Sequence, residues 1–186
     1  ALLVEAGRGG PQDRERAICK FCDTDFVGTD GDGGGNYSCA HDLAATVKSY
    51  WPDDAPAGAK PFVVCTGGEP LLQLNPRLID ALKAEGFEIA VETNGTRRAP
   101  RGIDWICVSP KVGAELLLEK GDELKLIYPQ KGGDPEQYAH LKFRHFFLQP
   151  MDGPDALENT RKTIEYCLHH PQWRLSLQLH KFAGIA

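Results

Sequence analysis

Short apolar runs recur along the chain beyond residue 60, each of strand length and most of them rich in β-branched or aromatic residues. They are PFVVC at 61–65, FEIAVET at 87–93, DWICVS at 104–109, ELKLIY at 123–128, FRHFFLQ at 143–149 and WRLSLQL at 173–179, and each predicts a strand. Helical periodicity falls between several of them. The clearest case is NPRLIDALKAEG, with Asn75 as N-cap, Pro76 at the first helical position and Gly86 as the stop. Further helices are predicted over about 41–51, 134–141 and 155–170. Strands alternating with helices predict an α/β fold with a parallel, helix-covered sheet. Six strand candidates are too few for a closed eight-stranded barrel, so the expected architecture is a partial, open TIM-like barrel of about six parallel strands.

In folds of this kind the loops at the carboxyl ends of the strands gather the chemistry. TGGEP follows the first run, TNG the second, SPK the third and QPMDG the fifth. Four polar signatures in one topological position predict one pocket. Gly67 and Gly68 remove side chains where a ligand could reach the backbone, and Glu69 offers a carboxylate to a ligand ammonium group. Alone, GGEP has a competing reading as a tight strand-to-helix turn with a solvated Glu, which CKFC upstream at 19–22 makes the weaker of the two.

The chain has 186 residues, 41% of them hydrophobic, which suits one sizeable core and a single domain over 1–186. A net charge of −5 disfavours nucleic acid as a partner. No run approaches the roughly 18 apolar residues of a membrane-spanning helix, and ALLVEAGRGG holds too short an apolar stretch for a signal peptide, so no membrane association and a cytoplasmic location are expected.

Of the six cysteines, Cys39, Cys65, Cys107 and Cys167 lie in apolar or helical stretches and are expected to be small core residues. Cys19 and Cys22 differ, because two residues separate them in a polar surrounding, a spacing that lets two thiolates converge on one metal or cluster. His41, His140, His145, His169 and His170 show no ligand spacing, and the loop with Asp30 and Asp32 lacks the closing Glu of a calcium-binding loop.

CKFCDTDF combined with a downstream CTGGEP, ETNG, SPK and QPMDG resembles the radical S-adenosylmethionine superfamily and, within it, the 7-carboxy-7-deazaguanine synthase family. The likeness runs from about Asp13 to Ala186. It implies a four-iron four-sulfur cluster, S-adenosylmethionine and Mg2+ as cofactors, and the conversion of 6-carboxy-5,6,7,8-tetrahydropterin to 7-carboxy-7-deazaguanine with loss of ammonia. By the resemblance, Cys19 and Cys22 are cluster ligands, the Phe21 backbone faces the adenine, and Thr24 helps hold magnesium. Gly67, Gly68 and Glu69 would hold the methionine moiety, with Glu92 and Asn94 near it or the ribose. Ser109, Pro110 and Lys111 would contact the cofactor from the next strand, and Gln149, Pro150, Met151 and Asp152 would close its adenine side. Thr66, His180 and the terminal carboxylate of Ala186 would meet the pterin substrate. No protein acid or base is implied as catalyst. A reductase such as flavodoxin is the implied electron donor and a homodimer the implied assembly.

The chain departs from the pattern at its start. The family resembles a C-x14-C-x2-C arrangement, which would put the first ligand at position 4, where this chain has Val4. The expectation is a domain incomplete or replaced before about residue 13, through a wrong start or frame error, with little stable cluster and no activity in the chain as it stands. Cys39, 17 residues after Cys22, is the other conceivable third ligand. Three rival readings share parts of the pattern: a glycyl-radical activating enzyme, a catalytically inactive binder of S-adenosylmethionine or pterin, and a zinc module built on CKFC.

Overall fold

The computed structural model describes residues 2–6 and 34–183. Seven strands form one sheet in sequence order: β1 (Leu2–Ala6), β2 (Phe62–Gly67), β3 (Glu88–Thr93), β4 (Trp105–Val108), β5 (Lys120–Tyr128), β6 (Lys142–Pro150) and β7 (Trp173–Leu175). Every neighbouring pair is parallel, and β1 and β7 are edges, so the sheet is open. All six runs read from the sequence are strands of this sheet. The seventh, β1, lies in register with β2 through pairs such as Val4 with Cys65, in a stretch where no element was predicted. Among the described residues there are also helices α1 (Ala40–Ser49), α2 (Pro76–Ala84), α3 (Ala156–His169) and α4 (Leu179–Ala183) and the 3-10 turns Pro70–Leu72 and Pro135–Gln137.

Helix α2 forms where its local signals place it. The Asn75 side chain accepts from the Leu78 N–H at 3.1 Å. At the other end Gly86, with φ +85°, lets its own N–H reach Lys83 O and the Phe87 N–H reach Leu82 O, the paired bonds of a Schellman stop. Its buried stripe, Leu78, Ile79, Ala81 and Leu82, packs with Val63, Cys65, Ile89 and Val91 of the sheet and with Ala44 and Val47 of α1. A second cluster, Val108, Leu124, Leu126, Phe146, Leu148 and Trp173, lies under α3 through Tyr166 and Cys167. Both clusters use alternate strand residues, so one face of the sheet is covered by helices and the intervening residues point to the other.

Three expectations need correction. The predicted helix over 134–141 is only a 3-10 turn, Pro135–Gln137, because β6 must begin at Lys142 to pair with Lys120. The eight residues from 134 to 141 leave little room for a helix to recover its nucleation cost. WRLSLQL keeps its alternation to Leu179, yet β7 ends at Leu175. Ser176 N–H still donates to Leu148 O, but the next rung needs the N–H of Pro150, which has none. Cys39 is exposed at the N-cap position of α1 and is not a core residue.

Cys65 and Cys107 are buried as expected, and burial pushes both thiols up to about 12, for Cys107 with Lys125 opposing and Glu92 and Glu123 reinforcing the rise. A thiol-reactive label applied to native protein at pH 8 is expected to modify Cys39 about a thousandfold faster than either buried thiol. Mass mapping after a short pulse checks this, and rapid native labelling of Cys65 or Cys107 would contradict the packing.

Candidate active site

Because every strand runs the same way, the loops after β2, β3, β4, β5 and β6 all leave from one edge of the sheet. That edge carries Gly67 to Glu69, Asn94 to Thr96, Ser109 to Lys111 and Gln149 to Asp152, as the motif positions predict. The residues facing away from the helices make a polar floor leading to it. Glu92 and Cys107 are register partners, as are Cys107 and Glu123, and Glu123 and His145, so four adjacent strands place a row of polar side chains on one face. Trp105 Nε1 donates to Glu123 at 2.8 Å, and its ring stacks on that of His145 with centroids 6.0 Å apart.

Glu69 is the buried centre of the edge, only 9% exposed. It is the N-cap of the turn Pro70–Leu72 and follows Gly67, whose φ of +104° swings the chain off the sheet. One carboxylate oxygen, Oε1, accepts from Leu71 N–H at 3.0 Å and from Thr93 Oγ1 at 2.6 Å. The other, Oε2, accepts from Asn94 N–H at 2.9 Å. All three donors are neutral, and Glu69 has no ion pair among the described residues. Its negative charge is therefore oriented by protein but not cancelled by it, which fits a ligand ammonium placed above the two glycines.

The loop after β3 is built to hold that arrangement. Thr93 Oγ1 also accepts from Gly95 N–H at 3.1 Å, and Asn94 Oδ1 accepts from Thr96 N–H at 2.9 Å and Thr96 Oγ1 at 2.7 Å. Asn94 thus spends its carbonyl oxygen on its own turn. Ser109 N–H donates to Thr93 O at 2.7 Å, which brings the SPK segment alongside. Pro110 is buried, and Lys111 is half-buried with no ion pair among the described residues. Gln149 and Pro150 end β6, Met151 N–H donates to Tyr128 O, and Met151 O accepts from Asn159 of α3. Asp152 pairs with Lys181 of α4, which sets the backbone of that helix, His180 included, against the QPMDG loop. Thr66 lies on β2 one residue before Gly67. Cys19, Phe21, Cys22, Thr24 and Ala186 lie outside the described residues.

Two groups were not singled out from sequence. Thr93 was passed over inside ETNG, yet its hydroxyl links the turn after β3 to Glu69. Lys125 was read as part of an ordinary strand, yet its Nζ donates to both Glu92 oxygens at 3.0 Å while its side chain is only 17% exposed. Burial alone would lower Lys125, but Cys107, Glu92 and Glu123 outweigh it and hold the ammonium above the ordinary lysine range. The signal was a lysine inside ELKLIY, set between Leu124 and Leu126 and two residues after Glu123. A cleft of about 510 Å3 lined by Leu71, Thr96, Arg97, Arg98 and Leu117 flanks the edge but takes in none of the predicted site residues.

An open, wholly parallel α/β sheet that carries GGE, TNG, SPK and QPMDG at its carboxyl edge has the partial-barrel architecture of the radical S-adenosylmethionine enzymes. The chain is 57% identical over 180 residues to the 7-carboxy-7-deazaguanine synthase of Caulobacter vibrioides, covering 95% of this chain and 83% of that one. It is 59% identical over 177 residues to the protein of the same name from Bradyrhizobium diazoefficiens, with the same coverage. Among solved structures it is similar to the crystal structure of QueE from Escherichia coli, with a TM-score of 0.57 and 31% identity over 75% of this chain and 63% of that one. No family model matches. The chain belongs to the 7-carboxy-7-deazaguanine synthase family.

Proposed function

We propose that the chain carries out the reaction of its family, the radical conversion of 6-carboxy-5,6,7,8-tetrahydropterin to 7-carboxy-7-deazaguanine with loss of ammonia, on the route to queuosine. The observation that carries this reading is the uncancelled carboxylate of Glu69, buried between two glycines and the TNG turn and held by neutral donors alone. When bound, the iron-sulfur cluster and S-adenosylmethionine supply a 5′-deoxyadenosyl radical. Cys19 and Cys22 hold the cluster, and Glu69 takes the methionine ammonium. Ser109 and Lys111 hold the polar end of the cofactor, and Gln149 to Asp152, braced by Asn159 and Lys181, close over the adenine. Thr66, His180 and Ala186 line the pterin side, and Thr24 provides an oxygen to magnesium, a hard cation that suits such a donor. The site's work is placement, since holding the radical carbon about 3–4 Å from the substrate hydrogen turns a bimolecular encounter into an oriented one. A flavodoxin-type reductase, a homodimer, a single domain and a cytoplasmic setting belong to the same proposal.

Val4 stands at the position where the family spacing has its first cysteine, yet it pairs in mid-strand with Cys65, so the test uses the chain and a chimera in which residues 1–12 are replaced by the corresponding segment of the Caulobacter vibrioides relative, each reconstituted anaerobically with iron and sulfide. The chimera is expected to hold about four irons per chain and, with reductant, S-adenosylmethionine and the tetrahydropterin, to release ammonia and the deazapurine. Cofactor cleavage without deazapurine would contradict the reading in favour of an activating enzyme.

A further inference from the structure

Glu69, in the loop after β2, and Glu92, near the end of the neighbouring strand β3, lie at one edge of the sheet, Glu92 next in sequence to the Thr93 that orients Glu69, yet only Glu92 has a cation partner. Glu69 has no cation partner among the described residues. Glu92 is neutralised by Lys125, with one hydrogen bond to each oxygen, while 43% of its side chain stays exposed. A carboxylate so paired gains little from a second cation, which would compete with Lys125 for the same oxygens. Its remaining lone pairs suit neutral donors, and a vicinal diol presents two side by side. The lysine end of the pair is buried and the carboxylate end stays open, so Glu92 faces solvent from a fixed position. We propose that Lys125 is a positioning residue that fixes the Glu92 carboxylate as acceptor for the ribose hydroxyls of the nucleoside ligand, an inference that rests on the S-adenosylmethionine reading above. A single ligand bearing an ammonium group at one end and a ribose diol further along then meets Glu69 with the first and Glu92 with the second.

The experiment is calorimetric titration of the full chain with S-adenosylhomocysteine and with its 2′,3′-dideoxy analogue. The wild type is expected to prefer the hydroxylated ligand by about 100-fold or more, as two hydrogen bonds to a charged acceptor give. Lys125→Met is expected to reduce that ratio to about 3 or less, and Lys125→Arg to keep most of it. A purely structural lysine would weaken both ligands alike and leave the ratio unchanged, which would overturn the proposal. If Lys125→Met does not fold, Glu92→Gln decides, since the same ratio must fall there, and an unchanged ratio overturns the proposal. Equal binding of both ligands by the wild type overturns the role of Lys125 and leaves the functional reading standing. Binding of neither ligand overturns both.

Discussion

Replacing Glu69 with glutamine is expected to weaken S-adenosylmethionine binding by about a hundredfold or more and to cost the fold about 2–4 kcal/mol. Both effects come from the same three bonds. The carboxylate accepts from Leu71 N–H, Thr93 Oγ1 and Asn94 N–H in a site that is 9% exposed. An amide must point its NH2 at one of these oxygen positions. At the first, two donors lose their acceptor; at the second, Asn94 N–H faces another donor. The charge that would meet the ligand ammonium is lost in either case. Urea unfolding and calorimetry on one preparation measure the two effects, and a variant that binds as well as the wild type would remove Glu69 from the site.

Gly95→Ala is expected to cost about 3–5 kcal/mol, as the sum of a left-handed conformation forced on an L residue and overpacking. Gly95 has φ +78°, and an added Cβ would lie 2.5 Å from Leu116 Cδ1 and 2.7 Å from Val108 Cγ1. Neither neighbour yields freely, because Val108 is fully buried in the sheet and the 116–118 segment is tied to Gly95 O by the N–H groups of Leu117 and Leu118. Displacing Gly95 also pulls on Thr93 and Asn94, so ligand affinity is expected to fall with stability. A loss below 1 kcal/mol in urea unfolding would show that the turn is slack, contrary to this packing.

The parts of the fold legible in the sequence are those whose causes are local. Asn75, Pro76 and Gly86 mark the ends of α2 with their own side chains and backbone angles, and the structure uses all three. Strands β2 to β6 were legible because apolar runs bounded by Gly, Pro and Asp have few other uses. The failures have distant causes. The end of β7 depends on a missing N–H at Pro150, and β5 starts at Lys120, ahead of its apolar run, because Gly121 lies against Phe143 and Asp122 accepts the Ile106 N–H. The site divides in the same way. Its motifs were legible as strings at strand ends, but the bonds that make it a site join Glu69 to Thr93 across 24 positions and Glu92 to Lys125 across 33. Spacing of that kind follows from strand order and register, which no short motif encodes.

The carboxyl edge of the sheet, from Gly67 round to Asp152, is proposed to take a single S-adenosylmethionine molecule whose sulfonium end points to Cys19 and Cys22. A crystal structure of the reconstituted chimera with S-adenosylmethionine tests it most directly. The account predicts the ligand ammonium about 3 Å from a Glu69 oxygen, its ribose hydroxyls on Glu92, and both cysteines on the same side of the sheet. Cysteines on the helix-covered face, or a ligand seated away from Glu69, would contradict it.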